Sequence, residues 1–278
     1  MKIINFFLDL LFPRKCIVCD EIFEFKNRDR CLCDDCKNLF EIINSRRCKK
    51  CSRPIDSGNF CNLCSSKNNI FDLNYAFFVY DGIIPEMIHK FKFKNHPAVG
   101  IGLGKIMAEN LDLSLINKKF DFIIPVPIHK KRMRERGFNQ AEIMAREISK
   151  KISVPVRTDI LFRIKNTKPQ WHLNSHERDN NLKNAFASKK INHKNIILLD
   201  DIFTTGSTIN KCSEVLKKSG ADYIFSLTFS ITHKNFYSIG SDSSYELSPD
   251  CTDLESSLLF SAIIPNGESK SSLLSCKR

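Results

Sequence analysis

Two groups of residues in this chain have the types and spacing that chemistry requires. The first is a set of four Cys-x-x-Cys pairs, Cys16/Cys19, Cys33/Cys36, Cys48/Cys51 and Cys61/Cys64. Two residues between thiolates let a tight turn aim both sulfurs at one metal, and two such turns complete a tetrahedral zinc site with Zn–S near ~2.3 Å. Four pairs supply eight ligands, enough for two zinc ions. Their density makes a redox reading of any single pair a minor one. The spacing leaves the pairing open: first pair with second and third with fourth, or a cross-brace of first with third and second with fourth. Cys31 is a ninth thiol in the segment and competes with Cys33.

The second group is the stretch Ile196 to Thr208, IILLDDIFTTGST. A continuous apolar run delivers Asp200 and Asp201, then a loop of small and hydroxyl residues (Thr204, Thr205, Gly206, Ser207, Thr208), then a helical pattern. Ligands of open α/β sheets bind beyond the carboxyl ends of strands. A small-residue loop that opens a helix offers backbone N–H groups and hydroxyls to a phosphate, aided by the helix dipole. Paired carboxylates at the same place suit the vicinal hydroxyls of a sugar. Ser/Thr capping of an acidic helix start would also explain the loop, but not two acids directly after four apolar residues.

The elements that must position these residues alternate along the middle of the chain. Tyr75–Tyr80 reads as a strand, Ile84–Phe93 and Val99–Leu111 as helices, and Phe122–Pro127 as a short buried strand. A helix over Asn139–Ile152, a strand at Ile196–Leu199, a helix over Ser207–Ser219 and a strand at Tyr223–Ile231 follow. Strands alternating with helices predict an α/β domain with a mostly parallel sheet flanked by helices. Three segments separate: a small Cys-rich zinc-binding domain over 1–70, the α/β domain over 71–234, and a Ser-rich tail over 235–278 that reads as disordered. Gly100, Gly102 and Gly104 form a Gly-x-Gly-x-Gly that no strand leads into, so it reads as a helix start rather than a dinucleotide fingerprint.

Composition bounds the rest. At 278 residues, 42% hydrophobic and 27% charged, the chain is long enough for a sizeable core and unlike disordered or fibrous sequences. Its 43 Lys and Arg against 31 Asp and Glu give a net charge of +12, which favours an anionic partner. No apolar run reaches the roughly 18 residues of a membrane span. The apolar start, Met1 to Pro13, contains Asp9 and leads into Arg14 and Lys15 instead of a small-residue cleavage site, so the sequence reads as cytoplasmic. Nine cysteines concentrated between Cys16 and Cys64 without a secretory signal fit metal binding, not a disulfide framework.

The stretch Ile196 to Thr208 resembles the 5-phosphoribosyl-1-pyrophosphate (PRPP) motif of type I phosphoribosyltransferases. The resemblance implies that Asp200 and Asp201 hold the ribose 2′- and 3′-hydroxyls and that Thr204–Thr208 wraps the 5′-phosphate, with Mg²⁺ accompanying the PRPP. Phe122 to Gln140 is similar to the family's strand and pyrophosphate loop, here carrying five Lys and Arg residues that include Arg136. Arg136 to Gln140 (RGFNQ), with Gln170, Leu173 and Arg178 to Phe186, resembles the ComF subfamily, which also carries four amino-terminal Cys-x-x-Cys pairs. That subfamily implies a role in competence, the uptake of single-stranded DNA, with a competence helicase as a possible kind of partner. The 6-oxopurine salvage enzymes carry their general base, an acid, where this chain has Thr204. The sequence therefore identifies neither an acceptor nor a general base. Three functions stand at this point: a PRPP- or ribose-phosphate-binding protein of DNA uptake, an active transferase releasing pyrophosphate onto an unknown acceptor, and a zinc-ribbon module binding single-stranded DNA. Trp171, beside Gln170, is a further candidate to stack a base or a sugar.

Overall fold

The computed structural model describes residues 13–24, 27, 30–93, 96–112, 118–167 and 181–233. The apolar start before Pro13, Gln170, Trp171, Leu173 and the Ser-rich tail lie outside the described residues. Two short helices, α1 (Asp34–Lys37) and α2 (Asn62–Ser66), sit in the Cys-rich segment. They are followed by β1 (Leu73–Val79), α3 (Ile84–Phe93), α4 (Pro97–Glu109) and β2 (Phe122–Pro125). Then come α5 (Lys130–Arg136), α6 (Gln140–Ile152) and an antiparallel hairpin of β3 (Leu161–Arg163) and β4 (Phe186–Ser188). The fold ends with β5 (Lys194–Phe203), α7 (Ser207–Lys218) and β6 (Ala221–Ile231).

The four strands β1, β6, β5 and β2, in that spatial order, form one parallel sheet. Its inner strands are buried on both faces: β5 carries the continuous apolar run Ile196–Leu199, and β6 buries Ser226, Thr228 and Ser230 among its apolar residues. Alternation along them divides the core in two. Ile197, Leu199, Phe225, Leu227 and Phe229 face one way and pack with Met87, Phe91, Leu103, Met107, Met144 and Ile148 of α3, α4 and α6. Ile196, Leu198 and Ile224 face the other way, with Ile209, Cys212 and Leu216 of α7 and Phe186 of the hairpin.

Three differences from the sequence expectation have physical causes. Strand β5 does not stop at Leu199, because its ladder with β6 continues through Asp200↔Thr228 to Phe203↔Ile231. The basic stretch expected as a loop is largely the helix α5, capped at its start by His129 Nδ1, which accepts the Lys131 N–H at 3.2 Å, and ended by Gly137 at φ +75°. His129 thus serves the backbone. The three glycines lie within α4 and not at its start, and all three are buried. A Cβ on Gly100 would meet the Phe91 ring at 2.2 Å, one on Gly102 would meet Ile17 at 2.6 Å, and one on Gly104 would reach the Met144 backbone at 3.0 Å. The glycines let neighbouring elements approach α4 on several sides.

The described residues form one compact unit. Within it the two halves of the Cys-rich segment join different cores. Cys16, Ile17, Leu32 and Cys36 pack with α4 and its neighbours, whereas Cys48, Cys51, Ile55 and Cys61 pack on the opposite face of the sheet. The chain passes between faces along the outer edge of β1. There Ile42 bridges Phe78, Ile43 N–H donates to Phe77 C=O at 3.0 Å, and Arg47 Nη1 donates to Ala76 C=O at 2.8 Å. This crossing covers an otherwise open sheet edge.

Candidate functional site

Strand β2 ends at Pro125, opposite Leu199, so beyond that point β5 has a neighbour only on the β6 side. Asp200 and Asp201 lie just past this step, at the carboxyl end of the sheet. Both acids are partly exposed there. The Asp200 carboxylate accepts the Asp201 backbone N–H at 2.9 Å, which fixes its orientation. Burial of the group, and then the charge of Asp201 beside it, push the Asp200 carboxyl up to about 7.

Cations converge on the acid pair from three directions. Lys92, on α3, reaches Asp201 at 2.7 Å. Arg136, at the end of α5, and Arg163, on β3, feel the charges of Asp201 and Asp200 respectively, while burial and the nearby Arg132 lower both guanidinium pKa values. Arg132 and Arg163 are held by one residue, Thr167: the first donates to its carbonyl at 3.2 Å and the second to its hydroxyl. Two carboxylates among cations offer acceptors for hydroxyl groups and positive charge for phosphates.

The loop after β5 turns at Gly206, whose φ of +78° is open to glycine and strained for other residues. A Cβ there would also meet the Phe203 ring at 2.6 Å. Thr205 and Ser207 hydroxyls lie 2.7 Å apart, and the first turn of α7 starts immediately after. Thr205, Gly206 and Ser207 line a cavity of about 130 Å³ together with Lys67, Asn69 and Lys211. A larger cleft of about 530 Å³, lined by Lys190, His193, Lys218 and Gly220, opens at the opposite, amino ends of β5 and β6, away from the acids.

The RGFNQ stretch is mainly architectural beyond Arg136. Gly137 ends α5, Phe138 stacks on Phe91 with ring centroids 5.5 Å apart, and Asn139 caps α6. The Asn139 amide donates to Val126 C=O at 3.0 Å while its oxygen accepts the Ala141 N–H at 3.1 Å, which ties the end of β2 to the start of α6. Gln140 is buried.

The eight cysteines of the paired motifs gather in two groups, Cys16, Cys19, Cys33 and Cys36, and Cys48, Cys51, Cys61 and Cys64, with the four sulfurs of each group within 4.8 Å of one another. The pairing is therefore sequential. Sulfur separations of 3.7 Å (Cys19–Cys33) and 3.6 Å (Cys51–Cys61) fit the ~3.8 Å edge of a tetrahedron with Zn–S near 2.3 Å. Cys31 stands apart: its thiol points at Gly102 C=O of α4, 3.8 Å away, and burial pushes it up to about 11. The two groups repeat one backbone plan. In each, the residue after the second cysteine turns through positive φ (Asp20, Ser52) and donates its N–H to the first cysteine's carbonyl. In each, the first cysteine's N–H bonds the carbonyl of the residue two beyond the second, Glu21 or Arg53.

Of the sequence-predicted residues, the acid pair, Thr204–Thr208 and Arg136 lie at one end of the sheet and the eight cysteines in two clusters, while Trp171 is outside the described residues. Sequence reasoning missed Lys92 and Arg163, and held Arg132 only as one of the five basic residues that include Arg136. Lys92 follows the apolar stripe of α3 and reads as solvated charge, and Arg163 lies on a hairpin strand too short for periodicity to reveal. Among the described residues, no helix is long and apolar enough to cross a membrane.

Comparisons with known proteins give the same two modules. Residues 7–65 match the family model described as a double zinc ribbon domain, and residues 92–233 match the phosphoribosyl transferase domain. The chain is 28% identical over 217 residues to competence protein F of Haemophilus influenzae, covering 69% of this chain and 93% of that one. It is 26% identical over 220 residues to competence protein ComFC of Streptococcus pneumoniae, covering 74% and 95%. With the DNA utilization protein YhgH of Escherichia coli K12 it shares 25% identity over 183 residues, covering 63% and 79%.

Proposed function

Since the chain belongs to the ComF family, a double zinc ribbon followed by a phosphoribosyl transferase domain, we propose that its β5–α7 crevice binds PRPP or another ribose-phosphate ligand in a cytoplasmic protein of DNA uptake or use. The observation that carries the reading is the acid pair beyond the end of β2, beside a hydroxyl-lined loop at the start of a 12-residue helix. In this reading the ionised Asp200 and Asp201 accept hydrogen bonds from the ribose hydroxyls. The N–H groups opening α7, with Thr205, Ser207 and Thr208, hold the 5′-phosphate. Arg136, with Arg132 and Arg163 behind it, neutralises a pyrophosphate group on the C1 side. Mg²⁺ comes in with the pyrophosphate as part of the ligand. The two Cys₄ clusters hold zinc in a structural role, each cluster closed by four thiolates with no open position.

The reading is one of binding. Thr204 stands where purine-salvage relatives of the fold carry an acid, and its carbonyl is already engaged by Arg53. The role in DNA uptake or use is inferred from the names of the competence and DNA utilization relatives.

The test is calorimetric titration of the purified chain with Mg²⁺ and PRPP, in parallel with Asp200→Asn/Asp201→Asn. Binding that the double variant loses supports the reading. A wild-type chain that takes up neither PRPP nor ribose 5-phosphate overturns it.

A further inference from the structure

The zinc ribbons repeat each other in backbone, but they differ at one equivalent position: Glu21 in the first is exposed, and Arg53 in the second is 2% exposed. The Arg53 guanidinium runs out of the metal-binding turn and under the β5–α7 loop. Its Nη2 donates to Thr204 C=O at 2.5 Å, and its Nη1 donates to Thr232 C=O, the residue that follows β6. Its Nε is buried without a partner, and among the described residues no carboxylate pairs with it. A buried cation that faces only carbonyl and hydroxyl oxygens is costly unless a negative charge comes close.

Two more contacts link this ribbon and the segment after it to the end of β5 and the start of α7. Lys50, next to Cys51, lies over the Phe71 ring at 5.2 Å, and Phe71 meets Phe203 edge-on at 5.7 Å. Phe203 is the ring on which Gly206 rests. Farther on, Ile70 N–H donates to Asn210 Oδ1, in the first turn of α7, at 2.6 Å. The first ribbon packs instead among α4 and its neighbours.

From this asymmetry we infer that the second zinc ribbon is a working part of the phosphate site, with Arg53 the positioning residue that sets the Thr204–Ser207 loop and lends it positive charge. The inference rests on the proposed ribose-phosphate reading and deepens it. Zinc at Cys48, Cys51, Cys61 and Cys64 holds the turn from which Arg53 projects, so metal and ligand each stabilise the other's site. Such coupling is reciprocal. Zinc at Cys16, Cys19, Cys33 and Cys36 stands outside it.

The probe is ribose 5-phosphate, titrated into the wild-type chain, Arg53→Lys and Arg53→Met, with bound zinc measured in each. A second readout follows zinc release to a chelator with and without the ligand. The expected result is binding weakened about tenfold or more in both variants, with two zincs retained in at least the lysine form. In the wild-type chain the ligand slows release of one zinc of the two, and in Arg53→Lys that protection is lost. A residue needed only for folding would not make zinc release depend on ligand. Wild-type affinity in both variants, or zinc release indifferent to ligand in the wild-type chain, overturns the inference and leaves the ribose-phosphate reading standing. Failure of the wild-type chain to bind either ribose 5-phosphate or PRPP overturns both.

Discussion

Lys92 on α3 and Asp201 at the end of β5 form a 2.7 Å ion pair whose side chains are 23% and 15% exposed. The contact joins the helix after the first strand to the acid pair of the fifth, at the carboxyl end of the sheet. It places a counter-charge on one of two adjacent carboxylates. Replacing Lys92 by Met leaves that carboxylate beside Asp200 without its nearest counter-charge. The expected cost is about 1–3 kcal/mol of stability near neutral pH, read from the midpoint of urea unfolding. An unchanged midpoint would show that the pair contributes nothing measurable.

Asp200 links pH to both stability and binding. Its carboxyl is raised from the ordinary aspartate range to about 7 by burial and by Asp201. Between about pH 4 and pH 7 the native chain therefore holds a proton that the unfolded chain has released. This group's contribution is complete below about pH 4 and is lost as pH rises through about 7. Asp200→Asn should remove that slope and unfold at a higher temperature than the wild-type chain at pH 8. Ribose 5-phosphate binding should run the opposite way in the wild-type chain, strengthening from about pH 6 to pH 8 as the pair ionises to accept hydroxyls. A melting temperature with the same pH dependence in both proteins would contradict the assignment.

The cysteine geometry makes a stoichiometric prediction. The chain should bind two zinc ions, and Cys36→Ser and Cys61→Ser should each leave about one, because every cluster needs four thiolates. Cys31→Ala should keep both, since that thiol faces α4. Metal analysis of the three purified variants decides it. Loss of zinc from Cys31→Ala would mean that the ninth thiol enters the first cluster.

How much of this was legible depends on whether the information is local. Ile196–Leu199 followed by two acids announces a buried strand and its functional end, because burial on both faces leaves an apolar run of its own. The Cys-x-x-Cys spacing announces metal, though not the pairing, which needs the path of the chain between knuckles. Arg53 shows the opposite limit. Among Arg46, Arg47, Lys49 and Lys50 it reads as one more residue of a solvated basic face, yet its partners are the Thr204 and Thr232 carbonyls, far along the chain and alike in every residue type. Arg163 and Lys92 are hidden for the same reason: a cation's partner lies across the fold. The α5 helix was obscured by its charge, which suits a phosphate loop as well as it suits a short exposed helix.

The glycines of α4 test whether close packing explains that motif. Gly104 faces α6, and the nearest atoms to an added Cβ are Glu147 Cβ at 2.9 Å and Met144 Cα at 3.0 Å. The Met144 atom is backbone, so relief requires α6 itself to move, and α6 is held at its start by the Asn139 cap and on its inner face by the sheet. Gly104→Ala gains helix propensity of roughly 1 kcal/mol, and overpacking costs typically about 1–3 kcal/mol. The backbone contact puts the balance on the unfavourable side, with net destabilisation of up to about 2 kcal/mol. At Gly102 an added methyl meets the end of Ile17 in the first ribbon, at 2.6 Å from Cδ1. That side chain can turn aside, so Gly102→Ala should cost less than Gly104→Ala. Chemical denaturation of the two variants orders them, and a reversed order would mean that the ribbon is seated on α4 more rigidly than α6 is.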